Sequence, residues 1–220
     1  EISACLVGSE MCIRDSTPSV RPPAQDTTHT IALIGLPGSG KSTLGRQLAR
    51  RLRVGFVDSD HVIEARIECS IRDFFVREGE SRFRDVEQEV IAELCHGRPG
   101  VLATGGGAVL REANRQALAT HTHALYLRTA PEELYRRLRN DTVRPLLQTS
   151  NPLARLQELY EARDAFYAET AHFVIDTGRH SSHRLLNMMI MQLELAGAIP
   201  PQQSTICLLY TSPSPRDRQK

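Results

Sequence analysis

The chain has 220 residues, with 27 Lys and Arg against 26 Asp and Glu, a formal net charge of +1. That balance gives no electrostatic case for a nucleic-acid or membrane-surface partner. A hydrophobic content of 40% can fill the core of one ordinary α/β domain, and no apolar run approaches the roughly 20 residues of a membrane helix.

The two ends do not read as protein. Residues Leu6–Ser16 are LVGSEMCIRDS and Cys207–Asp217 are CLLYTSPSPRD. Back-translating Met11-Cys12-Ile13-Arg14-Asp15 as ATG TGT ATA AGA GAC, followed by the A that opens a Ser16 codon, and reading the opposite strand gives TGT CTC TTA TAC ACA T, which encodes Cys207-Leu208-Leu209-Tyr210-Thr211. The relation extends through Leu6–Glu10 and Ser212–Arg216. One nucleotide segment read on both strands explains both ends, and it resembles a sequencing-library adaptor translated in frame. Residues 1–16 and 207–220 are therefore expected to be adaptor-derived and are set apart from the fold. Of the cysteines, Cys5, Cys12 and Cys207 fall in or beside these ends. Cys69 and Cys95 are left with no metal-like spacing, which suits a reducing cytoplasm.

Residues 17–29, polar and holding Pro18, Pro22 and Pro23, are expected to be a disordered lead-in to a domain spanning 30–198. The apolar run Ile31–Ile34 predicts a strand that delivers Gly35-Leu36-Pro37-Gly38-Ser39-Gly40-Lys41-Ser42, a match to the phosphate-loop pattern G-x-x-x-x-G-K-[ST]. Such glycines let the backbone turn several N–H groups into one small anion nest, and the next helix adds its N-terminal N–H groups and dipole. Gly38, Ser39, Gly40, Lys41, Ser42 and Thr43 are thus candidate ATP contacts. Lys41 would reach the β and γ phosphates, and the Ser42 hydroxyl would ligate Mg²⁺. A Gly-rich turn matching by chance is the plainer alternative. Against it, Lys occurs only at Lys41 and Lys220 in a chain that otherwise writes its positive charge as Arg.

Beyond the loop, Leu44, Leu48 and Leu52 predict an amphipathic helix, and Val54–Val57 a short strand ending in Asp58-Ser59-Asp60. Helical stretches are expected around Val62–Ile67 and over about Ser81–Leu94. Val101–Ala103 is a third strand, followed by Thr104-Gly105-Gly106-Gly107; then come a helix over Arg111–Thr120 and a fourth strand over Ala124–Leu127. Pro131 opens a helix running through Leu138. The aperiodic stretch Asn140–Asn151, with Arg144-Pro145, is long enough for a functional loop, a lid over about 140–152. Ser150-Asn151-Pro152 caps a helix over Leu153 to about Thr170; Phe173–Ile175 is a fifth strand, and Ser182–Ala196 a last helix.

Strands and helices alternate throughout, which predicts a three-layer α/β sandwich whose parallel sheet binds ligands at its C-terminal edge. Gly35–Lys41, Asp58–Asp60, Thr104–Gly107 and Asp176–Gly178 each follow a strand and are expected to share that edge. Gly105, Gly106 and Gly107 would offer backbone N–H groups with no side chain in the way; a plain flexible turn is the alternative.

Val57-Asp58-Ser59-Asp60, Gly79-Glu80-Ser81-Arg82-Phe83-Arg84-Asp85-Val86-Glu87, Thr104–Val109 and Arg144-Pro145-Leu146-Leu147 resemble, in order, the motifs of shikimate kinases. The resemblance spans about Thr30–Ala196. It implies the P-loop kinase fold related to nucleoside-monophosphate kinases, with a five-stranded parallel sheet in the order 2-3-1-4-5. It also implies γ-phosphoryl transfer from ATP to the 3-hydroxyl of shikimate, with Mg²⁺, by a cytoplasmic monomer.

The same resemblance places Arg84 and Arg163, in a substrate-binding segment over about 60–96 and in a later helix, on the shikimate carboxylate. Arg84 equally suits a helix-surface ion pair with Glu80 or Glu87, at i,i+4 and i,i+3 spacing. Asp60 would accept hydrogen bonds from the ring hydroxyls near the attacking oxygen, and Asp58 would act on Mg²⁺ through water; a helix N-cap is the other reading of this pair. Lys41, Asp60 and Arg144 form the expected catalytic set, with Arg144 also on the ATP phosphates. Arg137 and Arg139 suit either the nucleotide or a solvated helix face. The chain departs from the family pattern in two places. Glu68-Cys69 replaces a common glycine, and His180 beside Arg179 stands where an arginine often flanks adenine. His61, His96, His121, His123 and His172 read as structural or exposed. The alternatives are a gluconate-like or nucleotide-directed kinase, against which Asp58-Ser59-Asp60 and Phe83-Arg84 argue, and a non-catalytic ligand-sensing domain, for which residues 17–30 are too short to hold a DNA-binding unit.

Overall fold

Ile31, Ala32, Leu33 and Ile34 have no exposed surface. A strand buried on both faces must lie mid-sheet with helices above and below. The computed structural model, which describes residues 29–139 and 151–201, has this arrangement. Strands β1 (Thr30–Ile34), β2 (Gly55–Asp58), β3 (Gly100–Ala103), β4 (Thr122–Arg128) and β5 (Phe173–Asp176) form a parallel sheet in the order β2-β3-β1-β4-β5. The predicted order holds. The two ends, the lead-in through residue 28, and the lid segment 140–150 with Arg144 lie outside the described residues.

Side-chain alternation in the central strands builds the two outer layers. Ile31 and Leu33 of β1 and Leu125 and Leu127 of β4 pack on one side against α1 (Lys41–Leu52) and α7 (Ser182–Leu195), through Leu48, Leu52, Met189 and Leu193. Ala32, Ile34 and Tyr126 point the other way, onto α3 (Ile71–Cys95), α4 (Glu112–His121) and α6 (Pro152–Thr170). A smaller apolar cluster of Ile63, Phe74, Phe83, Val86 and Val90 joins α2 (Ser59–Ile67) to α3. Helix α5 (Pro131–Leu138) starts at the expected proline.

Helix starts follow local chemistry. Asp58, Ser70, Asn151 and Ser181 each accept a hydrogen bond from a first-turn N–H. Asn151 is therefore the cap that the sequence indicated. One element differs: α3 begins at Ile71, ten residues before the expected Ser81. Gly79, at φ 81° and ψ 171°, kinks it into two helical pieces. The first piece escapes a periodicity search because apolar content there does not track burial. Phe74 is buried, yet Val76 is 85% exposed.

Candidate active site

Sheet register brings the four segments to one edge. Leu33 of β1 and Asp58 of β2 both pair with Ala103 of β3, and Arg128 of β4 pairs with Asp176 of β5. The turns that follow β1, β2, β3 and β5 thus open onto the same face, as expected. They line two adjoining hollows. One, of about 380 Å³, is bordered by Lys41, Ser42, Asp58, Asp60, Thr104 and Gly106. The other, of about 310 Å³, is bordered by Thr43, Glu133, Arg136, Arg137, Arg179 and His180. Gly38, Gly40, Thr43 and Arg137 border both.

The phosphate loop runs from β1 into α1. Gly38, at φ 84°, must be glycine twice over: its backbone is left-handed, and a Cβ would stand 2.7 Å from the Leu138 side chain of α5. The Lys41 ammonium folds back into the loop, donating to the Gly35 carbonyl at 2.8 Å, the Leu36 carbonyl at 2.9 Å and Ser39 Oγ at 3.5 Å. It is buried and borders the larger hollow. Ser42 Oγ donates to Asp58 Oδ2 at 2.6 Å. Asp58 Oδ1 also accepts from the Asp60 N–H at 3.2 Å. The N-cap reading of Asp58 therefore holds, and the same carboxylate also holds the loop serine.

Asp60 stands at the floor of the larger hollow. Burial raises its carboxyl above the ordinary aspartate value, and the Asp58 charge adds to this, against the lowering pull of Lys41. The result is a more basic carboxylate suited to accept a hydroxyl proton in a hydrogen bond. Gly105 crosses so close that a Cβ there would lie 2.5 Å from Asp60 Oδ1.

Arg84 points inward from α3. Its Nη1 donates to Glu87 Oε2 at 2.6 Å, and its Nη2 donates to Glu80 Oε1 at 3.0 Å. The guanidinium lies 5.3 Å from the Phe83 ring centre. The helix ion pairs anticipated as an alternative are real, and they orient the group rather than exclude it from the site. Glu87 is almost wholly buried, and that burial raises its carboxyl pKa even though Arg84 pulls it down. Backbone approaches from the other side: a Cβ on Gly107 would overlap the Arg84 guanidinium. Arg163 reaches across from α6 and donates from Nη1 to the Gly106 carbonyl at 3.0 Å. Arg84 and Arg163 thus converge on the two sides of the Gly105–Gly107 turn.

Sequence reasoning gave three residues of this edge no role or a wavering one. Buried Ser59 accepts the Gly105 N–H on its Oγ at 2.9 Å, tying the turn after β2 to the turn after β3. Tyr167 donates to the Gly106 carbonyl. Arg137 donates to the Gly178 carbonyl at 2.8 Å and to Ser39 O at 3.5 Å, bridging the loop to the turn after β5. Ser59 sits inside a quoted motif, and the i,i+4 step from Arg163 to Tyr167 was the available signal for the second. Arg139 is exposed, as a solvated helix face requires. Among the described residues, no helix is long and apolar enough to cross a membrane, and Cys69 and Cys95 are unpaired thiols.

Comparisons with known proteins agree with this geometry. The family model for shikimate kinase matches residues 37–194. A shikimate kinase of Paracidovorax citrulli is 57% identical over 175 residues, covering 78% of this chain and 96% of the relative. One of Burkholderia thailandensis is 53% identical over 176 residues, covering 80% and 96%. Among solved structures, a shikimate kinase from Acinetobacter baumannii in complex with shikimate superimposes with a TM-score of 0.72 at 40% identity, covering 77% of this chain and 94% of that one.

Proposed function

This chain belongs to the shikimate kinase family, and from that premise we propose how its own residues divide the work. The reaction is the ATP-dependent phosphorylation of the 3-hydroxyl of shikimate, a step toward chorismate and the aromatic amino acids. The bond from the γ-phosphorus to its bridging oxygen breaks, the shikimate hydroxyl oxygen bonds to that phosphorus, and ADP leaves with the hydroxyl proton released. Lys41, with the N–H groups of Gly38 to Thr43, receives the phosphates. Arg84 and Arg163 grip the shikimate carboxylate, which needs planar two-point donors when buried. Asp60 accepts a hydrogen bond from the ring hydroxyl. A loose transition state needs that hydroxyl positioned more than it needs an early base. The N–H groups of Gly106 and Gly107 complete the acceptor site, the Gly105 N–H being held by Ser59, and Arg144 keeps the phosphate-binding role that the resemblance implies.

Mg²⁺ fits the donor set. Ser42 Oγ and Asp58 Oδ2, 2.6 Å apart, are hard oxygen ligands beside the loop, and Mg²⁺ takes few protein oxygens alongside waters and phosphates. Ser42 would hold the ion directly and Asp58 through water, and the ion would neutralise charge on the phosphate oxygens. The family resemblance suggests that the chain works as a monomer. The unpaired thiols Cys69 and Cys95 support a reducing cytoplasm.

One observation carries this reading: two arginines from separate helices, Arg84 and Arg163, meet at the Gly105–Gly107 turn, whose Gly106 borders the hollow that Lys41 and Asp60 also line. Gluconate also carries a carboxylate that such a pair could hold, so the choice of shikimate is supported by the family match. The test is ADP release by the full chain with ATP and Mg²⁺, measured with shikimate, gluconate, a nucleoside monophosphate or no acceptor. Shikimate alone should accelerate it. Equal rates with all four would sink the reading.

A further inference from the structure

Two side chains on one face of α6 converge on a single carbonyl. Arg163 Nη1 donates to the Gly106 oxygen at 3.0 Å, and Tyr167 Oη donates to the same oxygen at 2.5 Å. Tyr167 is fully buried, and its ring stacks on Tyr126 with centres 5.0 Å apart. Tyr126 is itself fixed by donating to Asp164 at 2.6 Å. The Tyr167 hydroxyl therefore has one aim. Burial pushes that phenol up to about 12, so it stays a donor at any working pH.

What it holds is the centre of the acceptor turn. Ser59 Oγ takes the Gly105 N–H, Ala108 N–H donates to the Gly105 carbonyl at 3.2 Å, and Leu110 N–H donates to the Gly107 carbonyl at 3.0 Å. Among the described residues, the Gly106 and Gly107 N–H groups are the only polar groups of the turn with no protein partner. A trans peptide is planar, with its C=O and N–H pointing opposite ways. Anchoring the Gly106 oxygen therefore also fixes the Gly107 N–H, on the side where Arg84 lies against Gly107.

Building on the assignment of Arg163 to the acceptor carboxylate, we propose that Tyr167 is a positioning residue for the phosphoryl acceptor. It keeps hold of the Gly106 carbonyl when Arg163 turns to the carboxylate. Without it, each binding event would weaken the hold on a partly buried carbonyl and let the Gly106–Gly107 peptide swing. Arg163 gives the Gly106 carbonyl one N–H of its five, and a shift of its fork toward the carboxylate would lengthen that bond. Tyr167 removes that competition.

Steady-state kinetics of the full chain with ATP, Mg²⁺ and shikimate separate this role from simple packing. Tyr167→Phe keeps the ring and its stacking and deletes only the donor. The KM for shikimate should rise about 5–20-fold, the worth of one buried hydrogen bond. The kcat should fall less than about threefold, the KM for ATP should not change, and Tm should move by about 3 °C or less. Tyr126→Phe is the matched control: it deletes a neighbouring phenol bond, to Asp164, and should leave the KM for shikimate unchanged. An unchanged KM for shikimate in Tyr167→Phe overturns the proposal. So does an equal loss toward both substrates, a rise as large in Tyr126→Phe, or a Tyr167→Phe chain that does not fold. Wild-type chain showing no acceleration by shikimate overturns the functional reading itself, and the proposal falls with it.

Discussion

Gly107 and Arg84 share one space, because a Cβ on the glycine would overlap the guanidinium. The arginine is held in place by Glu87 behind it, so Gly107→Ala pushes the acceptor-binding group out of line rather than unfolding the turn. The expected outcome is a KM for shikimate raised about tenfold or more with the KM for ATP little changed, read from initial rates at fixed saturating co-substrate. Arg84→Lys tests the same contact from the other side. An ammonium keeps the pairing with buried Glu87 but loses the planar fork, so the KM for shikimate should again rise about tenfold while Tm changes by only a few degrees. Arg84→Ala is a poorer test because it strands the buried Glu87 carboxylate. At this scale motif order singles out Arg84, Arg163, Asp60 and Lys41 as candidates, and the structure gathers them around one turn and one hollow. The contacts of Ser59 and Tyr167 with that turn were not legible, because the hydrogen bonds between Gly105 and Ser59 and from Tyr167 to Gly106 cross 46 and 61 residues.

Among the elements, α2 ends in an uncommon way. Its C-cap, Glu68, sits at φ 54° and ψ 24°, in the left-handed region that glycine adopts without penalty. The departure from the family pattern noted at Glu68-Cys69 is therefore a strained helix end, at a distance from the chemistry. Glu68→Gly should stabilise the fold by about 0.5–1 kcal/mol, because relief of the left-handed strain exceeds the added unfolded-state entropy. Thermal melting should register this as a rise of about 1–4 °C with kcat unchanged. Periodicity located the other elements to within a few residues because their apolar faces are regular: Leu44, Leu48 and Leu52 are all buried. It failed for the first piece of α3, where Gly79 breaks the helix and Val76 faces solvent. That piece carries Phe74 and Phe75 to the arginine site. It was hidden for a physical reason, since a segment that packs against a small lobe buries too few residues to show a period.

Across the whole molecule, chemistry sits at the C-terminal edge of the sheet, and a cluster of imidazoles sits at the opposite edge. His123 of β4 lies between His29, with ring centres 5.4 Å apart, and His172, at 6.1 Å. His172 Nδ1 accepts the Ala124 N–H at 3.1 Å. Burial, then His29 and His172, lowers the His123 pKa below the ordinary 6.5. The unfolded chain thus takes up this proton first as pH falls. Its contribution to stability is complete above about pH 6.5 and is lost as pH drops through the depressed folded-state value. Melting temperature against pH should show that loss, and His123→Gln should flatten it while leaving activity at neutral pH intact. Strand–helix alternation made the parallel sheet legible, and the family resemblance supplied its order, which the structure has. The proposed adaptor origin of residues 1–16 and 207–220 has its own check: removing both should leave kcat and Tm unchanged.

The proposed division of work turns on one acceptor oxygen: Asp60, Arg84, Arg163 and the glycine turn would present the 3-hydroxyl of shikimate to the phosphate held by Lys41. Phosphorus and proton NMR of the product formed by the full chain from ATP, Mg²⁺ and shikimate tests this most directly. A phosphomonoester coupled to the proton on carbon 3 of the shikimate ring is the predicted result. ADP formed without a shikimate phosphate, or phosphate on another hydroxyl of the ring, would contradict it.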